Sequence, residues 1–296
     1  MAVNLAAAAA RTGADLVCLP EAFTAIGAPV QSVAEVAEPV PGPTTDALAA
    51  VAKAHRCHIL CPIYTSRDGR FFNSAIWLDR EGQVRGIYDK AHPAATYPDF
   101  SEFELGVTPG TGPNWFDFDF GRVGVQICMD ACFPQSWASL AEAGVRMVVW
   151  PSAFDGGRRL EALAALHNYY VVSAVRDGRA RIIDPCGDTI EATGEDQPVL
   201  SCALSLDYVV APHDKPSVMS RLVARRYGDR VLARAYAAER LLLIASTDQA
   251  LRAETVAAEF RLTSLSSNLE RHRAAYSQHR SRTTVEFPKT ASRRTT

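Results

Sequence analysis

From Met1 to about Asp207 the chain alternates two hydrophobic periods, and this alternation constrains the fold more than any other feature. Apolar residues at every second position, or in short unbroken runs, read as strands, and apolar residues three and four apart read as helices. An Ala-rich helix over residues 2–12 runs to Gly13, a residue suited to a helix C-terminus. LVCLP (16–20) reads as a strand, and TTDALAAVAKAHR (44–56) as a helix opened by Thr44 or Thr45. Strands HILCPIY (58–64), NSAIWLD (73–79) and QVRGIYD (83–89) follow, with turns at Asp68-Gly69 and Glu81-Gly82. After an irregular stretch from Pro93 to Pro113 come strands WFDFDF (115–120) and RVGVQIC (122–128), separated by Gly121. SWASLAEAG (136–144) and RLEALAALHNYY (159–170) are helices, while RMVVWPSA (146–153) and VVSAV (171–175) are strands. ARIIDP (180–185), a turn at Gly187-Asp188 and a strand VLSCALSL (199–206) complete the set. Strands interleaved with helices in this way imply an α/β sheet covered by helices.

The bulk properties narrow the class. A chain of 296 residues accommodates one large α/β domain and an appendage. Hydrophobic content of 48% and charged content of 22% are those of an ordinary globular protein. No apolar run approaches the roughly 20 residues that span a bilayer. The opening MAVNLAAAAARTG lacks a basic leader and is interrupted by Arg11, so it reads as an amphipathic helix rather than a signal peptide. Seven cysteines, an odd number and dispersed, point to a reducing, cytoplasmic compartment. His55, Cys57, His58 and Cys61 raise a zinc reading, but strand alternation puts His58 on the face opposite Cys57 and Cys61, and no metal is assigned.

Charge divides the chain. Residues 213–296 carry 16 Lys and Arg against 8 Asp and Glu, leaving 15 against 25 in the remainder. The stretches SRLVARRYGDRVLARAYAAERLLLIAS and TDQALRAETVAAEFRLTSL suggest two or three helices, and the final SRTTVEFPKTASRRTT is polar enough to remain disordered. The expected organisation is a catalytic domain over 1–212, a basic helical extension over 213–280 and a disordered tail over 281–296. The extension shows no nucleic-acid motif, so packing and a solvated face are the preferred reading.

Chemistry concentrates at three strand ends. LVCLP ends at Glu21, QVRGIYD at Lys90 and RVGVQIC at Cys128. Alone, each has an ordinary explanation: a helix N-terminal acid, a solvated loop charge, and a small hydrophobe of the kind free cysteines often supply. If the strands share a sheet and run roughly parallel, however, a carboxylate, an ammonium and a thiol meet on one rim. That set suffices for acyl transfer. The carboxylate takes the thiol proton, and the lysine, with the backbone N–H of Met129, stabilises an oxyanion.

LPEAF, YDKAHP and GVQICMDACFP resemble the Glu, Lys and Cys motifs of the nitrilase superfamily, the carbon–nitrogen hydrolases. GVTPGTG (106–112), VVWPSAF (148–154) and RIIDPCGDTI (181–190) resemble further family segments in the same order, so the likeness spans about residues 5–210. The resemblance implies a four-layer α-β-β-α sandwich that pairs into a homodimer or larger homo-oligomer. It implies hydrolysis of a non-peptide C–N bond through a thioester, with Cys128 as nucleophile, Glu21 as general base and acid, Lys90 as oxyanion stabiliser and no cofactor. It also implies a second glutamate; Glu104 is chosen over Glu102 because it precedes Gly110 by six residues.

The chain departs from the family in places. The opening family strand is missing, Gln135 stands where a glutamate is common, and His167-Asn168 stands where Glu-Asn is usual. His167 is read as a helix residue near the sheet. Met129-Asp130 in place of Trp-Glu favours amides or N-carbamoyl compounds over nitriles. Phe23, Phe154 and Trp115 are candidates for a pocket lining, though core packing explains aromatics equally well. Arg158, Arg159 and Arg176 are candidates for a clamp on a substrate carboxylate. The alternatives are a nitrilase or acyltransferase using the same thioester, and an inactive scaffold whose helical tail mediates interaction.

Overall fold

The structure, a computed structural model, describes residues 2–112, 114–194 and 197–282. The chain forms two compact units, Met1–Leu206 and Asp207–Thr296. The division falls before residue 212 because 208–212 form a strand in the second unit's sheet.

The first unit contains two sheets. The first has the order β1-β2-β3-β4, comprising β1 (Leu16–Cys18), β2 (His58–Arg67), β3 (Arg70–Leu78) and β4 (Val84–Asp89). β1 is parallel to β2, and β3 is antiparallel to both β2 and β4, so β1, β2 and β4 all run the same way. The second sheet contains β5 (Trp115–Phe118), β6 (Gly121–Val125), β7 (Met147–Ser152), β8 (Tyr170–Val175), β9 (Arg181–Ile183) and β10 (Thr189–Ala192), in the order β10-β9-β8-β7-β6-β5. Its central strands β6, β7 and β8 are parallel.

Helices cover the outer face of each sheet, giving the expected α-β-β-α layers. α1 (Ala2–Ala10) and α2 (Pro43–His55) bury Ala6, Ala10, Leu48 and Ala52 against Val17, Ile59, Cys61 and Ile76 of the first sheet. α2 starts one residue earlier than expected, with Gly42 rather than Thr44 or Thr45 standing before its first turn. Pro43 opens its first turn, Asp46 lies near its N-terminus, and Lys53 and His55 lie near its C-terminus, the arrangement the helix dipole favours. α3 (Pro134–Glu142) and α4 (Arg158–His167) bury Trp137, Leu140, Leu160 and Leu163 against Val148, Trp150 and Val171 of the second sheet. Between the sheets, the Trp77 ring lies 5.7 Å from Phe116 and 4.9 Å from Phe118. Here β4 requires a glycine, because a Cβ at Gly86 would stand 1.9 Å from the Phe116 ring.

As alternation requires, Cys57 and Cys61 lie in the core, while His58 turns the other way to meet Asp119 and the edges of Phe118 and Phe120. One strand expectation fails. Residues 199–206 form no strand and join neither sheet. Instead they line a cavity of about 550 Å³ together with α1, β1 and β8.

The second unit corrects the sequence reading. It does contain helices, α5 (Pro216–Tyr227), α6 (Ala253–Glu259) and α7 (Leu265–Arg282), but it also contains a sheet. β11 (Tyr208–Pro212), β12 (Val231–Tyr236) and β13 (Leu241–Ser246) pair antiparallel in the order β11-β13-β12. The residues read as helix at VLARAY and LLLIAS are thus two arms of a hairpin. They bury Val231, Leu242 and Ile244 with Val209, Ala211, Val223 and Val256. Ser281 and Arg282, expected to open a disordered tail, complete α7, and the rest of that tail lies outside the described residues. Among the described residues no helix is long and apolar enough to cross a membrane.

Candidate active site

Glu21, Lys90 and Cys128 do meet, though not on one sheet rim. Glu21 follows β1 and Lys90 follows β4, both in the first sheet, whereas Cys128 follows β6 in the second. Strands with a common direction bring Glu21 and Lys90 to the same end of the first sheet, and stacking of the two sheets supplies the thiol.

The lysine is held from both sides. Its N–H donates to the Asn73 carbonyl (2.8 Å) and its carbonyl accepts from Gly110 N–H (2.8 Å). Gly110 is constrained here, since a Cβ would lie 2.2 Å from the Asp89 carbonyl oxygen. The Lys90 side chain is 1% exposed, and its Nζ donates to Glu21 Oε1 (2.7 Å) and Glu104 Oε1 (2.5 Å). Asn73 Nδ2 donates to both Glu21 Oε1 and Glu104 Oε2, each at 2.8 Å. Of the two candidate glutamates, Glu104 is therefore the one on the lysine. Burial alone would depress the Lys90 ammonium, but the two carboxylates raise it well above the ordinary range. Glu21 is almost fully buried, and its Oε2 has no hydrogen-bond partner.

Cys128 opens a 3-10 turn over Cys128–Cys132 with φ of +47°, a conformation costly for any residue with a Cβ. The surroundings hold it there. Trp150 Nε1 donates to the Cys128 carbonyl (3.1 Å) and Trp137 Nε1 to the Asp130 carbonyl (2.9 Å). The buried Asp130 carboxylate accepts from Ile127 N–H (2.8 Å), Tyr88 Oη–H (2.8 Å) and His92 N–H (3.0 Å), and lies 2.8 Å from His92 Nδ1. Asp130 thus ties the loop after Lys90 to the turn bearing Cys128. The His92 ring stacks on Phe133 at 3.7 Å. Burial and the Glu21 carboxylate push the Cys128 thiol up to about 11, against the opposing pull of Lys90 and of hydrogen bonds from Ala153 N–H and Ser152. At neutral pH the resting group is a thiol beside a carboxylate.

The remaining candidates separate. Phe23 packs against the core of the first sheet, and Trp115 packs on the second and carries Arg122 at 4.1 Å. Phe154 is exposed, edge-on to Trp150. Arg159 reaches Cys132 Sγ (2.9 Å), so its guanidinium is engaged there. Only Arg176 of the three arginines pairs with the cluster, its Nη2 lying 4.0 Å from Glu21 Oε2. The sequence reading gave no role to Asn73, Tyr64 or Ser152, and used Asp130 only as a mark of amide over nitrile substrates. The one signal was a polar residue, Asn73, opening a strand, where asparagine is disfavoured.

Comparison with known proteins identifies the family. The carbon-nitrogen hydrolase family model matches residues 1–212. Omega-amidase NIT2-B of Xenopus laevis is 30% identical over 232 residues, covering 70% of this chain and 83% of the relative. Human omega-amidase NIT2 is 28% identical over 220 residues, covering 67% and 79%. Among solved structures, Saccharomyces cerevisiae Nit3, a member of branch 10 of the nitrilase superfamily, aligns with a TM-score of 0.54 at 23% identity, covering 62% of this chain and 73% of that one. An amidase variant from Nesterenkonia sp. AN1, with the acetamide moiety of fluoroacetamide added at its active-site cysteine, aligns with a TM-score of 0.55 at 20% identity, covering 66% and 79%. With a family match over more than two thirds of its length and the same layered fold, the chain belongs to the carbon-nitrogen hydrolases, enzymes that cleave non-peptide carbon–nitrogen bonds.

Proposed function

We propose that this enzyme is an amidase that hydrolyses small amides or N-carbamoyl compounds through a thioester on Cys128. The observation that carries the reading is the buried cluster in which Lys90 bridges Glu21 and Glu104, Glu21 Oε2 stays without a hydrogen bond, and the Glu21 charge acts on the Cys128 thiol. Glu21 takes the Sγ proton as the sulfur attacks the acyl carbon, and the carbonyl π electrons move onto oxygen. Lys90 Nζ and the Met129 N–H stabilise that oxyanion. Glu21 returns the proton to the leaving nitrogen, the C–N bond breaks, and ammonia or an amine departs from the thioester. Glu21 then deprotonates a water, which attacks the thioester and releases the acid and the thiol. Glu104 and Asn73 orient Lys90 and Glu21, and Phe154 lines the entrance.

The raised thiol pKa supports a general base over a preformed thiolate. The omega-amidase relatives make ω-amides the first compounds to try. The proposal extends to a cytoplasmic homo-oligomer that uses no cofactor; the odd number of cysteines supports the compartment, and light scattering on the purified chain tests the assembly. The decisive experiment is an ammonia-release screen over short amides, ω-amides, N-carbamoyl acids and matching nitriles, run beside Cys128→Ala. Ammonia release lost in Cys128→Ala with an unchanged circular dichroism spectrum is expected. Turnover retained by that variant sinks the mechanism.

A further inference from the structure

Behind Lys90 and Asn73, on the opposite face of the first sheet, lies a second polar network. Side chains alternate across a strand, and residues directly opposite on neighbouring strands share a face. Asn73 of β3 stands opposite Tyr64 of β2 and reaches Glu21 and Glu104. Its neighbour Ser74 therefore turns the other way, towards Asp89, its partner on β4. Thr65 and Arg67 of β2 lie on that same reverse face, in line with Ile59, Cys61 and Ile63 of the core. There the four side chains close a ring. Arg67 Nη1 donates to Thr65 Oγ1 (3.1 Å), Thr65 and Ser74 share a hydroxyl contact of 2.6 Å, and Ser74 Oγ–H donates to Asp89 Oδ1 (2.6 Å). Arg67 Nη2 completes the ring on Asp89 Oδ2. Each hydroxyl donates once and accepts once. Thr65 and Ser74 are fully buried, and apolar residues of similar volume would serve stability as well or better. The core that the network adjoins does not explain it.

We infer that Arg67, Asp89 and Ser74 are positioning residues, which fix Lys90 and Asn73 against Glu21 and Glu104 from the far side of the sheet. Two members of the ring are bonded directly to the residues they would place: Ser74 follows Asn73, and Asp89 precedes Lys90. The Asn73 carbonyl accepts the Lys90 N–H (2.8 Å), so the Ser74–Asp89 contact locks the two strands at the very point where the ammonium leaves β4. Released from Ser74 and Arg67, Asp89 no longer ties the end of β4, and Lys90 can withdraw from its carboxylates. The sulfur reports such a movement. The Lys90 charge pulls the Cys128 thiol down against burial and Glu21, and Cys128 belongs to the other sheet. The effect on turnover rests on the amidase reading above; the effect on the thiol does not.

The test follows trapping of Cys128 by methyl methanethiosulfonate at about pH 8 in Arg67→Met, Asp89→Asn and Ser74→Ala, read by mass spectrometry of its peptide. A Lys90 displaced far enough to raise the thiol by about one unit leaves about tenfold less thiolate, and greater nucleophilicity returns about threefold, so trapping should slow about threefold. The signs separate placement from direct fields. Arg67→Met removes a positive charge, Asp89→Asn a negative one and Ser74→Ala none, so direct fields alone would slow the first, speed the second and leave the third unchanged. Loss of placement slows all three. Leu48→Ala, a core substitution in α2, is the control for lost stability and should leave trapping unchanged. On any amide the wild type turns over, each variant should lose about 10- to 100-fold in kcat with little change in KM. Arg67→Lys should restore part of that, because it keeps the charge without the fork. Should Asp89→Asn fail to fold, Ser74→Ala decides alone. Trapping that is unchanged or faster in Ser74→Ala or Asp89→Asn, or slowed equally by Leu48→Ala, overturns the inference. A wild type that turns over no amide sinks the amidase reading and leaves the trapping result to decide this one.

Discussion

Replacing Glu21 by glutamine should move two properties of Cys128 in opposite directions. The thiol stands at about 11, so at about pH 8 only about one molecule in a thousand is thiolate. Glu21→Gln preserves shape and removes the negative charge beside the sulfur. A like charge close to a titrating group shifts its pKa by about one to three units, so removing it is worth about 3 kcal/mol, or about two pH units. The thiol of the variant should fall to about 9, raising its thiolate fraction by about 100-fold. A less basic thiolate is a weaker nucleophile, and over two units that returns about a tenfold loss. Trapping of Cys128 by methyl methanethiosulfonate should therefore accelerate about tenfold, read by mass spectrometry of the peptide that contains it. Amide turnover by the same variant should drop by about 100- to 10,000-fold, because no base remains to take the proton as the substrate arrives. The fold should survive, since Lys90 keeps Glu104 at 2.5 Å and is never left as a lone buried charge. If trapping is unchanged or slower, Glu21 is not what holds the thiol protonated, and the assignment of the base fails with it.

Lys90→Met leaves Glu21 and Glu104 buried together without a cation and should cost about 3–5 kcal/mol in urea denaturation. Adding Glu104→Gln to that variant should recover much of the loss. Asp130→Asn turns one acceptor of the carboxylate into a donor facing N–H and O–H groups, and should cost about 1.5–3 kcal/mol. Its kcat should fall more than its KM rises, because the Asp130 carboxylate is engaged by Ile127, Tyr88 and His92 and acts only by holding the turn that fixes Cys128 at φ +47°. Burial depresses the His167 pKa and leaves its Nε2 without a partner, so the neutral ring is favoured in the fold. That contribution is fully present above the ordinary histidine pKa of about 6.5 and is lost as pH falls through the lower folded value. Thermal denaturation should accordingly show stability declining with acidification, less steeply in His167→Phe.

Much of the first unit is legible in the chain because its signals are local. A period of two or of three to four residues and glycines at turns each act within a few positions, so the sequence alone places β1 to β9 and α1 to α4 to within a few residues. The same locality misleads in the second unit. VLARAYAAERLLLIAS is rich in alanine, leucine, arginine and glutamate, all good helix formers. Pairing of β13 with both β11 and β12 overrides that preference, with Arg240 turning at φ +55° to close the hairpin. Residues 199–206 fail in the opposite sense. They have a strand's alternation but join no sheet, and a strand's hydrogen bonds lie wholly outside itself, so alternation alone does not make one.

For the candidate site, residue type and position at strand ends single out Glu21, Lys90 and Cys128 as candidates, because a thiol, an ammonium and a carboxylate carry their chemistry wherever they stand. How they meet is another matter. Glu21 and Lys90 rise from one sheet and Cys128 from the other, a relation set by how two sheets stack and by nothing within either strand. Glu104 over Glu102, Asn73 between two carboxylates, Asp130 joining two loops, and Arg67 with Asp89 behind Lys90 are all contacts across tens of residues. The sequence by itself determined which chemistry is available and the layers that carry it. Only the tertiary structure decided which side chains share one buried volume, because burial and charge pairing depend on distance in space and leave no periodic mark along the chain.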